Sequence, residues 1–448
     1  MKFSSEITRA EWNNDSGKWK INVSEKKDGG VAQIFEEHCD VFLYATGALN
    51  GAKWPDVEDL GLFKGKVMHS SAWPVDYQKD QWETDRIAVI GTGASSLQIV
   101  PSIQPWAKSI DVFVRTPTWF SRIADNFGEY KPYTEEARRN FREDTQALIS
   151  HAKDIEEQLS ICLDLQIIGS EAQEKASTWT RNHMREHLKD DRLYYGFLPS
   201  FGLGCRRITP ADLYMKAIQK ANVSVHFAEA ARLTTNSVID ANGDETQIDT
   251  LICASGFDNS YRPRFPVIGR DGIDLAQKWS LQPEAYLGIT VPGMPNFFMF
   301  MGPSWPVHNG SIMGPLIATG DYVIAALHKM QRDCIKSLSP KPNVTRMFNE
   351  HVQEFSKRTV WVESCRSWFK NGEGRVTALW PGTGLHFMEA VKWPRWEDYQ
   401  IERRFGNEWA VLGNGFCWQE REKGLDKTPF LNVDVLDEKW KREVLGSC

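Results

Sequence analysis

The stretch from Arg86 to Gln98 constrains this chain more than any other. Ile87, Ala88, Val89 and Ile90 form an unbroken apolar run, which suits a strand covered on both faces. Gly91, Thr92 and Gly93 interrupt it, and Ala94 to Gln98 resume as a helix. A strand, a glycine turn and a helix in that order open a doubly wound α/β unit. The turn lets backbone approach a pyrophosphate, and the helix N-terminus offers unpaired N–H groups and partial positive charge. Ser96 stands where such turns usually carry a third glycine. An ordinary strand-turn-helix without ligand is the alternative.

A second apolar strand, Ile110 to Val114, ends in Arg115 and Thr116. A dinucleotide fold that grips the ribose of NAD ends this strand in Asp or Glu, whereas an Arg suits a 2′-phosphate. Guanidinium and phosphate pair bidentately with charge assistance. The expected cofactor is therefore NADP, with Arg115 and Thr116 at its 2′-phosphate end. A merely solvated Arg115 is the plainer reading.

At 448 residues the chain has room for two or three domains. The net charge of −6 argues against a nucleic-acid partner. The N-terminus has no apolar signal core, and no apolar run is long enough to span a membrane, so a reducing cytoplasmic setting is expected. The eight Cys are scattered without a C-x-x-C pair, so neither a disulfide framework nor a zinc site is expected, and no metal ligands are assigned.

Ile7–Trp12 and Trp19–Val23 alternate around a turn at Asn13–Gly17 and read as a hairpin. Asp40 to Gly47 reads as a buried strand ending in Thr46-Gly47, and Asp249 to Asp258 echoes it, ending in Ser255-Gly256-Phe257-Asp258. The charged stretch from Tyr133 to about Arg192 reads as an inserted helical lobe. Gly202 to Arg207 reads as a glycine-flexed basic loop.

With these residues in place, the chain resembles class B flavin monooxygenases, specifically Baeyer–Villiger monooxygenases of the fungal secondary-metabolite branch. The specific signature is Phe63, Gly65, His69, Trp73 and Pro74, which fits the family's F-x-G-x-x-x-H-x-x-x-W-[PD] fingerprint at every fixed position. The resemblance runs from Met1 to about Tyr399. It implies an α/β, two-dinucleotide-binding-domain flavoprotein architecture: 1–75 as part of an FAD domain and linker, 76–250 as an NADP Rossmann domain with a helical insertion at about 130–200, and 251–448 as the rest of the FAD domain with a C-terminal extension. It also implies a reaction in which NADPH reduces FAD, O2 is captured by reduced flavin, and oxygen is inserted into a ketone, a polyketide among the candidates. The cofactor supplies the hard chemistry and the protein orientation and charge.

Carried over residue by residue, the resemblance implies that Gly91, Gly93, Ser95, Ser96 and Gln98 hold the NADP pyrophosphate region, and Arg207 matches the arginine that holds the oxygenated flavin, which makes it the catalytic candidate. Arg206 stands where the family usually has a Lys that contacts NADP. Trp368 matches a tail Trp lining the nicotinamide region. Thr46, Gly47, Ser255, Gly256 and Asp258 fall near family FAD contacts, with Ser255 in place of the usual Thr. His69 and Trp73 lie in the family's interdomain linker and are assigned positioning. One departure stands out. The family's own FAD glycine turn and acidic ribose ligand have no counterpart in this sequence, whose residues before Asp40 read as hairpin. The expectation is an architecture lacking the first FAD βαβ unit, with FAD binding in doubt. Alternatives are an FAD-deficient derivative acting as an NADP-dependent or cofactor-free isomerase or reductase, or a non-catalytic binding protein.

Overall fold

The computed structural model describes residues 2–26, 32–122, 132–160, 163–308 and 310–431. Its centre is a five-stranded, wholly parallel sheet ordered Lys66–His69, Thr250–Cys253, Arg86–Ile90, Ser109–Phe113, Val223–His226. The unbroken apolar runs follow from burial on both sides. Ile87, Val89, Ile110, Val112 and Ile252 point into the core that holds the helices Ala94–Ile103 and Asp212–Ala217. Their neighbours Ala88, Phe113, Leu251 and Cys253 point the other way, against a three-stranded meander through Ala230, Leu233 and Val238. The period of two thus divides each strand between two cores.

Sheet membership reaches beyond the expected 76–250 segment at both ends. The fingerprint strand Lys66–His69 is an edge of this sheet, and Thr250–Cys253 lies inside it. The fingerprint's Gly65 has a local cause: a Cβ there would lie 2.1 Å from the Asp249 carbonyl oxygen and 2.5 Å from the Phe63 ring. Phe63 itself is buried, and Trp73 donates from Nε1 to the Tyr77 carbonyl at 2.9 Å.

The N-terminal hairpin forms as expected, from Ser5–Asn13 and Lys18–Lys26 with Trp12 opposite Trp19. Ala32–Cys39 and Val267–Ile268 extend it to four strands. Ala10, Trp19 and Ile21 pack on Phe42, Tyr44 and Phe297, which belong to a separate parallel pair, Phe42–Tyr44 with Phe297–Met299. The expected helical lobe comprises Glu135–Glu143, Thr145–Leu159, Glu171–His187 and Asp191–Phe197. Each helix is started by a side-chain oxygen, from Thr134, Asp144, Ser170 and Asp190 respectively, accepting from first-turn N–H groups.

One expectation is corrected. Cys205 and Cys365 are joined by a disulfide across a sequence separation of 160. No spacing rule could have paired them, because the fold alone brings the loop after Phe201 against the tail.

At one end of the sheet, Arg86 grips Asp249 at 2.7 Å, and this guanidinium holds the Asp249 carboxyl down at about 2. A lowered carboxyl pKa contributes stability that is fully present above about pH 4 and is lost as pH falls through about 2. Both side chains are over a third exposed, so the contribution is about 0.5–1 kcal/mol. Urea melts of wild type and Arg86→Met should therefore differ at pH 5 and converge towards pH 2. A difference that stays constant across that range would exclude the ion pair as its source.

Candidate active site

The glycine turn has the geometry a dinucleotide needs. Gly91 has φ +117°, and a Cβ on it would lie 2.4 Å from the Ala254 carbonyl oxygen. The next strand therefore passes too close for any side chain. Gly93 caps helix Ala94–Ile103 with φ −86°, and a Cβ there would meet nothing within 4 Å. The first glycine is required by the protein, and the second leaves room for something outside it. Ser95 is half-buried on the first turn. Ser96 is fully buried beneath the helix, in a packing place rather than an open one. Gln98 is exposed and turns back to donate to the Ala94 carbonyl at 2.9 Å.

Arg115 is half-exposed and paired with Glu229 at 2.9 Å. The Thr116 carbonyl accepts from the Thr92 hydroxyl at 3.3 Å, which ties the second strand's end to the turn. Arg206 donates to the Pro117 carbonyl at 3.4 Å. Burial lowers its pKa, and the charge of Arg115 lowers it further. Two cations that oppose each other's charge beside a helix N-terminus form a place where a phosphate relieves both.

Beside them opens a cavity of about 390 Å³, lined by Arg206, Arg207, Ile208, Met301, Trp368 and Phe369 among others. Arg207 is exposed, and its one hydrogen bond among the described residues is through its backbone carbonyl, which accepts from Thr209 at 3.3 Å. Its guanidinium thus has no partner among the described residues. His308 also lines this cavity. Burial pushes its imidazole down to about 4, and among the described residues neither ring nitrogen has a partner in hydrogen-bond geometry, although the Gly382 carbonyl lies near enough to favour the protonated ring slightly. The ring is therefore neutral near pH 7.

A smaller hollow of about 40 Å³ shares Ala48 and Met301 with this cavity and is lined by Gly47 and Asp258. Gly47 (φ +78°) and Gly256 (φ +91°) both end strand segments in the left-handed region with open space where a side chain would be. Thr46 is exposed, its carbonyl accepting from Asn50 at 3.1 Å. Asp258 is exposed and accepts from the Ser260 N–H at 2.9 Å. Ser255 is committed elsewhere, donating to the Lys53 carbonyl at 2.6 Å. His69 is buried with both nitrogens engaged, Nδ1 with Ser71 Oγ at 2.7 Å and Nε2 with the Gly256 carbonyl at 3.0 Å. It bolts the fingerprint strand to the second strand end, in keeping with a positioning role.

The fold therefore brings Arg206, Arg207 and Trp368 to one cavity and Gly47 and Asp258 to its neighbour. Sequence reasoning missed Ile208, Met301, His308 and Phe369. Ile208 and Phe369 directly follow Arg207 and Trp368, so adjacency was an available signal for them, whereas Met301 and His308 come from another segment that no local pattern marks.

The open turn with Arg115 and Arg206 fits a 2′-phosphorylated dinucleotide, and the paired open glycines fit a second flat cofactor beside the cavity. An open glycine turn on one side and a pair of open glycines on the other, with a cavity lined by two arginines, suit an oxidoreductase of the two-cofactor kind. No family model matches the chain. It is 48% identical to the FAD-binding monooxygenase moxY of Dothistroma septosporum, over 98% of this chain and 71% of that protein. It is 47% identical to the FAD-binding monooxygenase stcW of Emericella nidulans, over 100% of this chain and 75% of that one. A Baeyer-Villiger monooxygenase of Pseudomonas aeruginosa is 32% identical over 87% of this chain and 72% of its own. The chain belongs to this family of flavin-dependent Baeyer–Villiger monooxygenases. Among solved structures, OTEMO in complex with FAD and NADP superposes with a TM-score of 0.73 at 23% identity, over 89% of this chain and 80% of that one. Cyclohexanone monooxygenase from Rhodococcus sp. Phi1 bound to NADP+ gives 0.71 at 20%, with the same coverage. These two establish a shared fold.

Proposed function

We propose that the chain is an NADPH- and FAD-dependent monooxygenase that inserts one oxygen atom of O2 into a ketone, giving an ester or lactone, in secondary-metabolite biosynthesis. The observation that carries this reading is the Arg207 guanidinium, without a partner among the described residues, on a largely apolar cavity that adjoins the hollow lined by Gly47 and Asp258. The family relationship supports it through relatives described as FAD-binding and Baeyer-Villiger monooxygenases. Gly91, Gly93, Ser95, Arg115, Thr116 and Arg206 would hold NADP. Thr46, Gly47, Ser255, Gly256 and Asp258 would border FAD, with Ser255 acting through its backbone since its hydroxyl is engaged.

When bound, the flavin supplies electron transfer and oxygen activation. The protein's share is binding, charge and exclusion of water. Arg207 fixes positive charge where negative charge develops on oxygen, in a site walled by Ile208, Trp368 and Phe369. Trp368 braces this wall, with its ring 4.9 Å from that of Phe369 and its carbonyl accepting from Asn259 at 2.9 Å. His308, neutral at working pH, adds no competing charge.

The test is isotopic. Chain supplied with FAD, NADPH, a ketone and ¹⁸O₂ should yield an ester or lactone carrying one heavy oxygen. Ketone-dependent NADPH loss without labelled product would defeat the reading. A separate expectation concerns the nucleotide. Arg115→Ala should weaken NADPH by about 1.5–3 kcal/mol, the range for hydrogen bonds to charged groups, and leave NADH unchanged. Glu229→Gln should act in the opposite direction by releasing Arg115. Equal loss for both nucleotides in a titration would remove Arg115 from 2′-phosphate recognition.

A further inference from the structure

Outside the cavity, three ligand-type side chains converge where the helical lobe meets the NADP domain. His183 and His187 lie one turn apart on helix Glu171–His187, and Asp212 begins helix Asp212–Ala217. One potential ligand atom from each lies within 4.8 Å of the others. His183 and Asp212 are buried and His187 is half-buried.

The surrounding bonds arrange these groups for more than packing. His187 Nδ1 donates to the His183 carbonyl at 2.8 Å, which leaves Nε2 as a bare acceptor. A ring nitrogen anchored on a backbone carbonyl while the other is free is the usual outer bond of a metal-binding histidine. Asp212 is held from its far side: Arg122 Nε donates to Oδ2 at 3.2 Å, which leaves Oδ1 facing His183 Nε2 at 2.8 Å. The His183 ring is clamped flat against Trp179, 5.0 Å between centroids at 6°, and stands 4.1 Å from the His187 ring. Three donors are thus already held in place.

We propose that His183 Nε2, His187 Nε2 and Asp212 Oδ1 form a site for one zinc-class divalent cation, which would fasten the helical lobe to the NADP domain. Two imidazoles and a carboxylate suit Zn²⁺ and Co²⁺, with water in a fourth position, and do not suit Mg²⁺ or Ca²⁺. Binding displaces the proton shared between His183 and Asp212, which passes to solvent. His187, the half-buried member, marks the side from which the ion enters. The site is independent of the oxygenation chemistry and stands whether or not that reading holds.

Untagged, chelator-treated full chain titrated with Co²⁺ should bind one ion with a visible d–d absorption. Zn²⁺ should displace it and raise the thermal midpoint, and Mg²⁺ should do neither. His187→Ala changes the half-buried member of the trio and should fold, with its own metal-free midpoint as the reference for its titration. It should weaken Co²⁺ at least as much as the loss of an outer partner does, about 10- to 100-fold. Asp212→Asn serves as a second variant, read by the same absorption. Absence of the Co²⁺ band in wild type, or an unchanged titration in His187→Ala, would overturn the proposal and leave the trio as a hydrogen-bonded brace.

Discussion

Arg207→Ala is expected to abolish most oxygen insertion while NADPH still binds. Arg206 and Arg207 are adjacent in sequence but differ in commitment. Arg206 donates to the Pro117 carbonyl and sits in the opposing field of Arg115, whereas the Arg207 side chain has no partner among the described residues and opens on the cavity. Charge that develops on oxygen in a water-poor site depends on fixed cations, and removal of one such stabiliser costs about 100- to 1000-fold in turnover. NADPH affinity should move little, because the residues placed around the nucleotide are untouched. Arg207→Lys should recover part of the rate, since charge is kept and geometry is lost. Single-turnover flavin reduction measured beside ester formation separates the two steps. Normal ester formation in Arg207→Ala would take this residue out of the mechanism.

The second large effect is on folding. Gly91→Ala must hold φ +117° and place a Cβ 2.4 Å from a backbone oxygen of the adjacent strand. The strained backbone costs about 1–3 kcal/mol, and forcing the strands apart costs about 1–3 more. Together that is a large share of a stability of about 5–15 kcal/mol. Gly93→Ala is the contrast, because its φ is ordinary and its Cβ meets nothing. It should melt near the wild-type temperature and bind NADPH more weakly, since the added methyl occupies the side left open for the nucleotide. If both variants melted alike, the division of labour within the turn would be wrong.

What the sequence disclosed and what it hid divide along physical lines. The apolar run Ile87–Ile90, the alternation around Asn13–Gly17 and the charged stretch after Tyr133 carry local periodicity, and each became the element expected. The fingerprint became intelligible through Gly65, where contact with Asp249 forbids a side chain. Ser96, grouped with the residues expected around the pyrophosphate, is buried under its own helix, in the packing place that a third glycine usually fills. The Cys205–Cys365 bond, the lining by Met301 and Phe369, and the meeting of His187 with Asp212 all join residues far apart in the chain. In the last case the sequence did offer a hint, a His-x-x-x-His spacing on a helical stretch, that a cysteine-based search passes over.

The disulfide has a mechanical meaning. Cys205 directly precedes Arg206 and Arg207, and Cys365 lies just ahead of Trp368, so the cross-link joins two walls of the same cavity. The Lys370 ammonium reinforces the joint through the Glu363 carbonyl, and the Glu363 carboxylate accepts from the Gly202 N–H at 2.5 Å. These two walls behave as a riveted jamb. Elsewhere in the cavity lining, among the described residues, the end of helix Thr145–Leu159 meets the loop at Gly310–Ser311 through the Gly310 N–H to the Leu159 carbonyl and the Ser311 N–H to Glu156. Whatever guest enters the chamber, the cation and the tryptophan keep their spacing, because one covalent link ties the two segments that carry them.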